Sequence, residues 1–501
     1  MEWNSVNLVS REGVRLEAIG AIGQRCRQRS LRLVALLSLL AWSSGSCASS
    51  PQTSPRLTPA PSTSPKPPRP HIVLLLADDL GWGDVGFNGS KIGTPNIDAL
   101  AEHGVRLEQF YVQPVCTPTR AALLTGRYPM RLGLQVGVVR PWSDHGLPLQ
   151  ERTMASALRE AGYATAIFGK WHLGHADPAY LPTRRGFDRQ YGLYNGAIDY
   201  FTHDRDGGFD WHKDDKANRD EGYATDLLAK AAVEFIAGHD KARPMFLYVP
   251  FNAPHTPAQA PEAYLARYAH IADRNRRALA AMVNAMDDAI GRITAALRQH
   301  GFNDENTLIF FASDNGGILQ FSSNGNFRGE KGRLYEGGVR SPAVISWPGK
   351  LPRGTSIREP LHIVDLYPTL LGLAGGSLKQ ALPLDGLDAW PTIASGAKSP
   401  HGLIVHNVTP WSGAIRVGDW KLLHNGGHPA NDTEPPPGET LELFNIAEDP
   451  FEKNDQRERR PEIFARMLEQ LKAVRASAVQ PILPPNLAPP GFKPPAVWGE
   501  R

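Results

Sequence analysis

Two strongly apolar segments of the sequence are each followed by a pair of oxygen-rich side chains. The segments are His71–Ala77 and Thr307–Ala312, and the residues that follow them are Asp78, Asp79, Asp314 and Asn315. Carboxylate and amide oxygens suit a hard cation, so we expect calcium first and magnesium or manganese second. Either pair alone could be a turn or a helix cap. Two such pairs behind two buried strands, together with the cysteine motif described below, predict a metal site.

Nitrogen-bearing side chains follow two further apolar segments. Ala164–Phe168 leads to Lys170 and His172, and Met245–Val249 leads to His255; Lys331 lies in a later loop. A lone lysine or histidine in a loop is more often a solvated surface residue. Here glycine and proline neighbours restrict the backbone, and the carboxyl ends of buried parallel strands are where open α/β sheets place ligands. We therefore expect these groups to converge on one active site.

The elements that must position these groups alternate between strand and helix. Apolar residues recur at helical spacing over Glu151–Ala161, Asp226–Gly238 and Asn275–His300. The alternation predicts a three-layer α/β/α domain over residues 71–400. Short strand-like pieces and a helix over Pro461–Ser477 predict a smaller α+β subdomain over residues 401–480, with an antiparallel sheet. A proline-rich tail follows over residues 481–501.

Composition limits the classes of function. A hydrophobic content of 41% and a charged content of 21% are those of a globular protein. The net charge of +3 is small for 501 residues, and no basic patch interleaves with aromatic residues, so we expect no nucleic-acid partner. Three cysteines exclude a disulfide framework. Two of them, Cys26 and Cys47, lie in the leader, so Cys116 is the one cysteine of the expected folded part.

The N-terminal residues 1–47 are typical of an export signal. Arginines precede an apolar run, Leu33–Trp42, which is shorter than the roughly 20 residues that span a bilayer. Small residues then lead to Cys47, so two interpretations stay open: cleavage and lipid acylation at Cys47, or plain secretion. We expect a periplasmic, secreted or lipid-anchored protein without a transmembrane helix in its mature chain. Residues 48–70, rich in Pro, Ser and Thr, are expected to form a disordered linker.

The segment Val115–Arg127 resembles the sulfatase signature, in which a cysteine is followed by proline two residues on and by arginine four residues on. Over roughly His71–Asn454 the chain is similar to the type I, formylglycine-dependent sulfatases of the alkaline phosphatase superfamily. Within them it is most similar to the arylsulfatase B-like, N-acetylgalactosamine-4-sulfatase group. The supporting segments are Ala77–Asp84, Gly169–Gly174, Leu181–Asp188, Ser313–Gly317, Arg328–Lys331, Glu336–Arg340 and Leu443–Pro450.

The resemblance implies a modified residue and a metal. A formylglycine-generating enzyme would oxidise Cys116 to 3-oxoalanine (Cα-formylglycine), and Arg120 would hold the hydrate of this aldehyde. Thr119 replaces the serine that is commonest at its position and keeps a hydroxyl group. The implied ligands of one calcium ion are Asp78, Asp79, Cys116 after its conversion, Asp314 and Asn315.

The resemblance also implies roles in sulfate-ester cleavage. Lys170 and Lys331 would contact the sulfate, and Lys331 or His255 would assist the departing sugar oxygen. His172 would hydrogen-bond the hydrate and help to eliminate sulfate. Such cleavage needs a nucleophile, positive charge on the nonbridging oxygens and a proton for the leaving group, and these residues supply each requirement.

Three other functions share part of this pattern, and the substrate class follows from export and subgroup. A phosphate-ester or phosphonate hydrolase could use a similar metal centre, but Leu181–Asp188 belongs to the sulfatase pattern. A non-catalytic glycan-binding homologue conflicts with the filled catalytic positions, and a plain thiol hydrolase would leave the metal ligands without a purpose. Export and subgroup favour sulfated carbohydrates, such as galactosaminoglycans or algal polysaccharides. Candidate rim residues of the pocket are His145, the stretch Asp199–Asp215, Trp82, Trp142, Trp211 and Trp411.

Overall fold

The computed structural model describes residues 69–430, 433–483 and 485–500. The described residues form one compact unit. The predicted export signal and nearly all of the predicted linker lie outside the described residues. The last two linker residues are ordered, since Pro70 O accepts a hydrogen bond from Tyr163 at 2.9 Å and Arg69 lies over the Tyr163 ring. Within the described ranges, no helix has the length and apolarity needed to cross a bilayer.

Nineteen strands are found in the described residues. They are β1 (His71–Ala77), β2 (Val105–Leu107), β3 (Phe110–Tyr111), β4 (Ala164–Phe168), β5 (Arg189–Gly192), β6 (Asp204–Arg205), β7 (Gly208–Phe209), β8 (His212–Lys213), β9 (Lys216–Ala217), β10 (Met245–Pro250), β11 (Thr307–Ser313), β12 (Arg340–Ser341), β13 (Ala343–Ser346), β14 (Thr355–Ile357), β15 (Leu361–His362), β16 (Ile404–Val408), β17 (Gly413–Val417), β18 (Trp420–His424) and β19 (Leu441–Asn445).

The α-helices of the same residues differ widely in length. They are α1 (Pro95–Glu102), α2 (Cys116–Thr125), α3 (Met154–Glu160), α4 (Ala224–Ala237), α5 (Glu262–Arg267), α6 (Arg274–Gln299), α7 (Glu336–Val339), α8 (Leu366–Leu373), α9 (Trp390–Ser395) and α10 (Pro461–Ala476). Short 3₁₀ turns complete the set at Trp82–Asp84, Gly86–Asn88, Pro129–Arg131, Pro178–Tyr180, Pro182–Arg185 and Ile363–Asp365.

A ten-stranded mixed sheet forms the centre of the unit, in the order β14-β2-β13-β11-β1-β10-β4-β5-β8-β9. Its middle strands β11, β1, β10, β4 and β5 run parallel, whereas β13 pairs antiparallel with β11. Successive residues of β1 face opposite sides: Ile72, Leu74 and Leu76 join one apolar cluster, and Val73, Leu75 and Ala77 join the other. Helices α2, α3 and α8 cover the first face, and α1, α4 and α6 cover the second. The three-layer α/β/α prediction is confirmed.

A separate four-stranded antiparallel sheet has the order β16-β17-β18-β19. Helix α10 packs on it through Met467 and Leu471, which lie in the same apolar cluster as Ile415 and Leu422 of the sheet. That cluster also contains residues of β1, so the small sheet shares its core with the large one. The sheet and helix agree with the predicted composition of residues 401–480, while the boundary at residue 400 stays a prediction.

Candidate active site

The four predicted oxygen ligands meet at one edge of the central sheet. Strands β1 and β11 are parallel neighbours with Ala77 opposite Ser313, so the residues that follow them emerge side by side. The backbone N–H of Asp79 donates to Asp314 Oδ1 at 3.2 Å, and Asn315 Nδ2 donates to Asp79 Oδ1 at 2.8 Å. Asp78 is also fully buried here. Burial, together with the negative charge of Asp314, raises the pKa of Asp78 above its usual range.

Cys116 begins helix α2 and lies against this carboxylate cluster. Its thiol donates to Asp78 Oδ1 at 3.5 Å. One ligand atom each from Cys116, Asp78, Asp79 and His255 lies within 4.8 Å of the other three. Burial, and then the charge of Asp314, raises the pKa of the Cys116 thiol to about 12. The unmodified side chain is therefore a protonated thiol at neutral pH and a poor nucleophile.

Three cations surround the carboxylates. Lys170 Nζ donates to Asp78 Oδ2 at 2.7 Å, and Lys331 Nζ donates to Asp79 Oδ2 at 2.8 Å. Although burial alone would lower the pKa of Lys331, the charge of Asp79 raises it, so this side chain stays an ammonium. The third cation is the guanidinium of Arg120. The three cations therefore lie around the carboxylates next to residue 116, where they would attract an anion.

Arg120 lies one helical turn after Cys116 and is fully buried. Its Nε and Nη2 both donate to Asp314 Oδ2, at 3.1 and 2.7 Å, and its Nη1 donates to the backbone oxygen of Lys170 at 3.1 Å. Arg120 therefore ties helix α2 to the ends of both β11 and β4. A rigid fork of this kind fixes the distance between the metal-type carboxylates and the first turn of the helix.

Both predicted histidines lie beside the cluster as neutral imidazoles. Burial, with Lys170 and Arg120 adding to it, holds the pKa of His172 well below its usual value. His172 Nε2 lies 2.9 Å from Val139 O and must donate to it, so Nδ1 carries the lone pair, and Nδ1 has no hydrogen-bond partner among the described residues. Burial lowers the pKa of His255 to about 3. Its Nδ1 donates to Thr256 O at 2.6 Å, and its Nε2 lies 3.5 Å from Asp79 Oδ2.

The backbone is strained at two site residues. Asp79 has φ 64° and His172 has φ 58°, both in the left-handed region that non-glycine residues seldom adopt. Gly169, just before Lys170, has φ 142°, and a Cβ there would lie 1.9 Å from Pro250 O. A side chain at residue 169 would therefore separate β4 from β10, so glycine is required to bring Lys170 beside Asp78.

The donor set fits the expected cation. Asn315 Oδ1 is buried and accepts no hydrogen bond within the described part of the chain. With the oxygens of Asp78, Asp79 and Asp314 it gives a set of hard donors, which is the chemistry that calcium and magnesium take in proteins. The Nε2 lone pair of His255 also faces the Asp79 carboxylate. The residues present therefore fit a divalent cation, and they leave its identity open.

Some polar side chains of the site were not singled out from the sequence. Asn252, two residues after β10, and Asn195 are buried, and neither side-chain amide has a hydrogen-bond partner among the described residues. Tyr200 positions the His255 loop, since its hydroxyl donates to the backbone oxygens of Asn252 and His255. Asn252 follows a strand just as the predicted residues do, and that position was the available signal.

The predicted rim residues differ in exposure. Trp211 is fully buried and packs against the rings of Tyr191 and His203, so its candidacy as a sugar-stacking residue is wrong. Trp82, Trp142 and Trp411 are half-buried. His145 is half-buried as well, next to the exposed Asp144. The stretch 199–215 contains a β6–β7 hairpin. These four side chains and the hairpin stay candidates for contact with substrate.

Comparisons with known proteins identify the family of the chain. The family model described as Sulfatase matches residues 70–377. Arylsulfatase J of Mus musculus is 39% identical over 466 residues, which cover 83% of this chain and 78% of the relative. N-acetylgalactosamine-6-sulfatase of Mus musculus is 36% identical over 357 residues, 66% of this chain and 67% of the relative.

The fold is matched as well. A crystal structure of Ps i-CgsB in complex with k-i-k-neocarrahexaose superposes with a TM-score of 0.75 at 35% identity, and it covers 82% of this chain and 94% of that chain.

Proposed function

The chain belongs to the sulfatase family and is a sulfuric ester hydrolase, and from this premise we propose that it removes sulfate from a sulfated carbohydrate. The proposal includes 3-oxoalanine at position 116, formed from Cys116, and one calcium ion held by Asp78, Asp79, Asp314, Asn315 and residue 116. The observation that carries it is the position of Cys116, which lies within 4.8 Å of two carboxylates and His255 at one buried point. The hydrated aldehyde, next to calcium, would supply the oxygen nucleophile for the sulfur atom.

The charge balance of the site supports an anionic substrate. Three carboxylates, of Asp78, Asp79 and Asp314, face three cations, of Arg120, Lys170 and Lys331. These charges cancel, and both histidines are neutral. A divalent cation would leave an excess of two positive charges in a buried pocket, where electrostatic attraction is much stronger than in water. A sulfate monoester carries one negative charge, so it is attracted to this excess and offsets half of it.

The lysines are suited to hold the nonbridging sulfate oxygens. Lys170 and Lys331 contact different carboxylates, so their ammonium groups approach the cluster from two sides. Fixed positive charge that is already in place when negative charge develops stabilises the transition state without reorganisation. Arg120 has its donors committed to Asp314 and to a backbone oxygen, so we assign it the positioning of helix α2 and of residue 116.

His172 and Lys331 are suited to move protons. The Nδ1 lone pair of His172 is free because Nε2 donates to Val139 O, and a neutral imidazole can take a proton from the hydroxyl groups at residue 116. Thr117 Oγ1 donates to His172 O at 3.0 Å, which fixes His172 relative to the residue after Cys116. His255 is neutral and its one N–H is donated to Thr256 O. We therefore assign the proton for the leaving oxygen of the sugar to the ammonium of Lys331, which contacts the same Asp79 carboxylate as His255.

The substrate class rests on the relatives and on the rim. N-acetylgalactosamine-6-sulfatase is named for a sulfated sugar, and the matched structure of Ps i-CgsB is in complex with k-i-k-neocarrahexaose. Half-buried tryptophans at 82, 142 and 411 could stack on sugar rings. We place the protein outside the cytoplasm, where such polymers occur. A formylglycine-generating enzyme is its expected maturation partner.

The test is turnover by the matured protein. The chain is co-expressed with a formylglycine-generating enzyme and assayed on 4-nitrophenyl sulfate, on sulfated N-acetylgalactosamine and galactose, and on 4-nitrophenyl phosphate. We expect sulfate release from the sulfated compounds and far less phosphate release. Cys116→Ala, which removes the precursor of the nucleophile and keeps the fold, should release none. Turnover by Cys116→Ala, or a preference for the phosphate ester, would overturn the assignment.

A further inference from the structure

Arg140 lies on a segment anchored directly to the catalytic residues. The backbone N–H of Val139 donates to Thr117 Oγ1 at 3.1 Å, and Val139 O accepts from His172 Nε2 at 2.9 Å. The backbone N–H and C=O of Val139, the residue before Arg140, are thus bonded to Thr117, which follows Cys116, and to His172. The Cys116 thiol is also near enough to Arg140 to influence its pKa. Arg140 therefore borders the catalytic site while taking no part in the chemistry described above.

The C-terminal strap, residues 485–500, covers this segment. Trp142 Nε1 donates to Pro485 O at 2.9 Å, and Arg140 Nη2 donates to Asn486 Oδ1 at 3.2 Å. Further along the strap, Phe492 packs edge-on against Trp142 and stacks on Trp498 with an interplanar angle of 12°. The predicted proline-rich tail is thus a packed part of the catalytic unit.

The strap also fixes a second arginine. Trp498 Nε1 donates to Arg205 O at 2.7 Å, and Trp498 N donates to Phe209 O at 2.9 Å, so the strap lies along the β6–β7 hairpin. The strap brings the two arginines into one neighbourhood: Asn486 contacts the Arg140 guanidinium, Trp498 contacts the Arg205 backbone, and Phe492 packs against both Trp142 and Trp498. In agreement with this arrangement, burial and then the charge of Arg205 lower the pKa of Arg140. One strap therefore holds two guanidinium groups near each other from two different loops.

The charge of this pair is incompletely balanced. Arg205 Nε lies 3.0 Å from Asp206 Oδ2. Arg140 forms no ion pair with any carboxylate of the described residues, and its Nε is buried without a hydrogen-bond partner there. Two adjacent guanidinium groups repel each other, and burial strengthens that repulsion. An anionic group bound between them would relieve it, and guanidinium is well suited to both sulfate and carboxylate oxygens.

We propose that Arg140 and Arg205, held together by the C-terminal strap, form a second anion-binding subsite that recognises a sulfate or carboxylate on the glycan other than the ester being cleaved. The substrate is then a polyanionic chain that carries a further anionic group beside the scissile sulfate. This proposal rests on the proposed function, because a second subsite has a purpose only where a first sulfate is hydrolysed.

The test compares substrates with one and with two anionic groups. Arg140→Gln and Arg205→Gln, each with position 116 converted, are assayed on 4-nitrophenyl sulfate, on a monosulfated disaccharide, and on the same disaccharide with a second sulfate or with a uronate. Loss of one charge-assisted contact predicts a fall in kcat/KM of about 10- to 100-fold on the doubly charged sugars, mainly through KM. The loss on the singly charged compounds should be at least several times smaller. The sulfate and uronate arms show which group the subsite takes.

The control is Arg353→Gln, a surface arginine paired with Asp304 at the opposite edge of the sheet, which should behave as wild type on every substrate. Equal losses on singly and doubly charged substrates in both variants would overturn the subsite, because they would mean a general structural effect. Arg205→Gln keeps the test valid if Arg140→Gln fails to fold, since the Arg205 side chain is about one-third exposed.

A binding measurement separates this proposal from the proposed function. In the Cys116→Ala background, calorimetric titration with the disulfated and monosulfated disaccharides should give a Kd ratio of about 10 or more in favour of the disulfated sugar, and Arg140→Gln should remove the preference. No preference would refute the subsite even if the enzyme is active. A preference for the disulfated sugar in the Cys116→Ala background, together with no sulfatase turnover by the matured wild-type protein, would refute the proposed function and retain the subsite.

Discussion

Lys421 of strand β18 links the small sheet to the large one through buried ion pairs. Its fully buried ammonium lies 2.9 Å from Glu336 Oε1 and 2.9 Å from Glu452 Oε1. Burial alone would raise the pKa of Glu336, but Lys421 and Arg340 hold it below its usual range. Glu336 begins α7, and Gly338 O of that helix accepts from Gly316 N at 3.0 Å, next to Asn315 of the metal-type cluster. The ion network therefore supports the floor of the active site from the small sheet.

Lys421→Met should strip two buried carboxylates of their shared cation. Removing one partner of a buried ion pair typically destabilises a protein by about 3–5 kcal/mol. An unfolding entropy of about 2.1 cal/mol/K per residue over roughly 430 residues gives roughly 0.9 kcal/mol/K, so Tm should fall by about 3–6 °C. Without the cation, the folded-state pKa values of both glutamates should lie above their unfolded values, and the proton uptake keeps stability at low pH. The loss in Tm should therefore grow as the pH rises from 5 to 8.

The assay is thermal unfolding followed by near-UV circular dichroism at pH 5 and pH 8. Lys398→Met is the matched control, because Lys398 pairs with Glu359 at 2.8 Å but its side chain is 91% exposed, and its Tm should stay at the wild-type value at both pH values. Adding Glu336→Gln to Lys421→Met should recover part of the loss by removing one buried negative charge. A Tm for Lys421→Met equal to that of Lys398→Met, or a loss that shrinks as the pH rises, would refute the reasoning.

Two further predictions concern the metal-type cluster. Asp314→Ala should lower both sulfatase turnover and the amount of bound calcium, measured by mass spectrometry of the metal. Asp304→Ala, exposed at the opposite edge of the sheet, should change neither. An unaltered calcium content in Asp314→Ala would contradict the ligand assignment. Gly316→Ala should reduce stability by about 2 kcal/mol or more and impair turnover, because its Cβ would lie 1.8 Å from Gly337 O. Gly372→Ala, in α8 with open space around its Cβ, should be neutral or slightly stabilising, and the same behaviour in Gly316→Ala would show that the close packing is unimportant.

The buried strands could be predicted from the sequence because their apolar runs are continuous. The predicted Ala164–Phe168 strand is the observed β4, and the observed β11 extends the predicted segment by one residue to Ser313. The ends of helices were harder to predict from the sequence. The helix predicted from Glu151 begins at Met154, because Thr153 caps it by accepting a hydrogen bond from Ser156 N at 3.0 Å. The edge strands of two to four residues carry too few residues to show a period.

The site residues could be predicted because each follows a strand or belongs to a motif, and the structure brings all of them together. Their hydrogen bonds could not, since the tautomer of His172 depends on the backbone oxygen of Val139 in a distant loop, and that of His255 depends on how the local turn places Thr256 O. The packing of the C-terminal strap could not be predicted either. Proline-rich composition gives no sign of a partner, and Trp498 is buried only because the β6–β7 hairpin and His175 lie next to it.

The most direct test of the central claim is the mass of the tryptic peptide that contains residue 116. The protein is made in its own host and, in parallel, with a co-expressed formylglycine-generating enzyme, with Cys116→Ala as the control for peptide assignment. The account predicts a peptide about 18 Da lighter than the cysteine form, because conversion replaces the thiol by an aldehyde, in a fraction that rises in step with sulfatase turnover. Full turnover from a protein whose peptide carries only unmodified cysteine would contradict it.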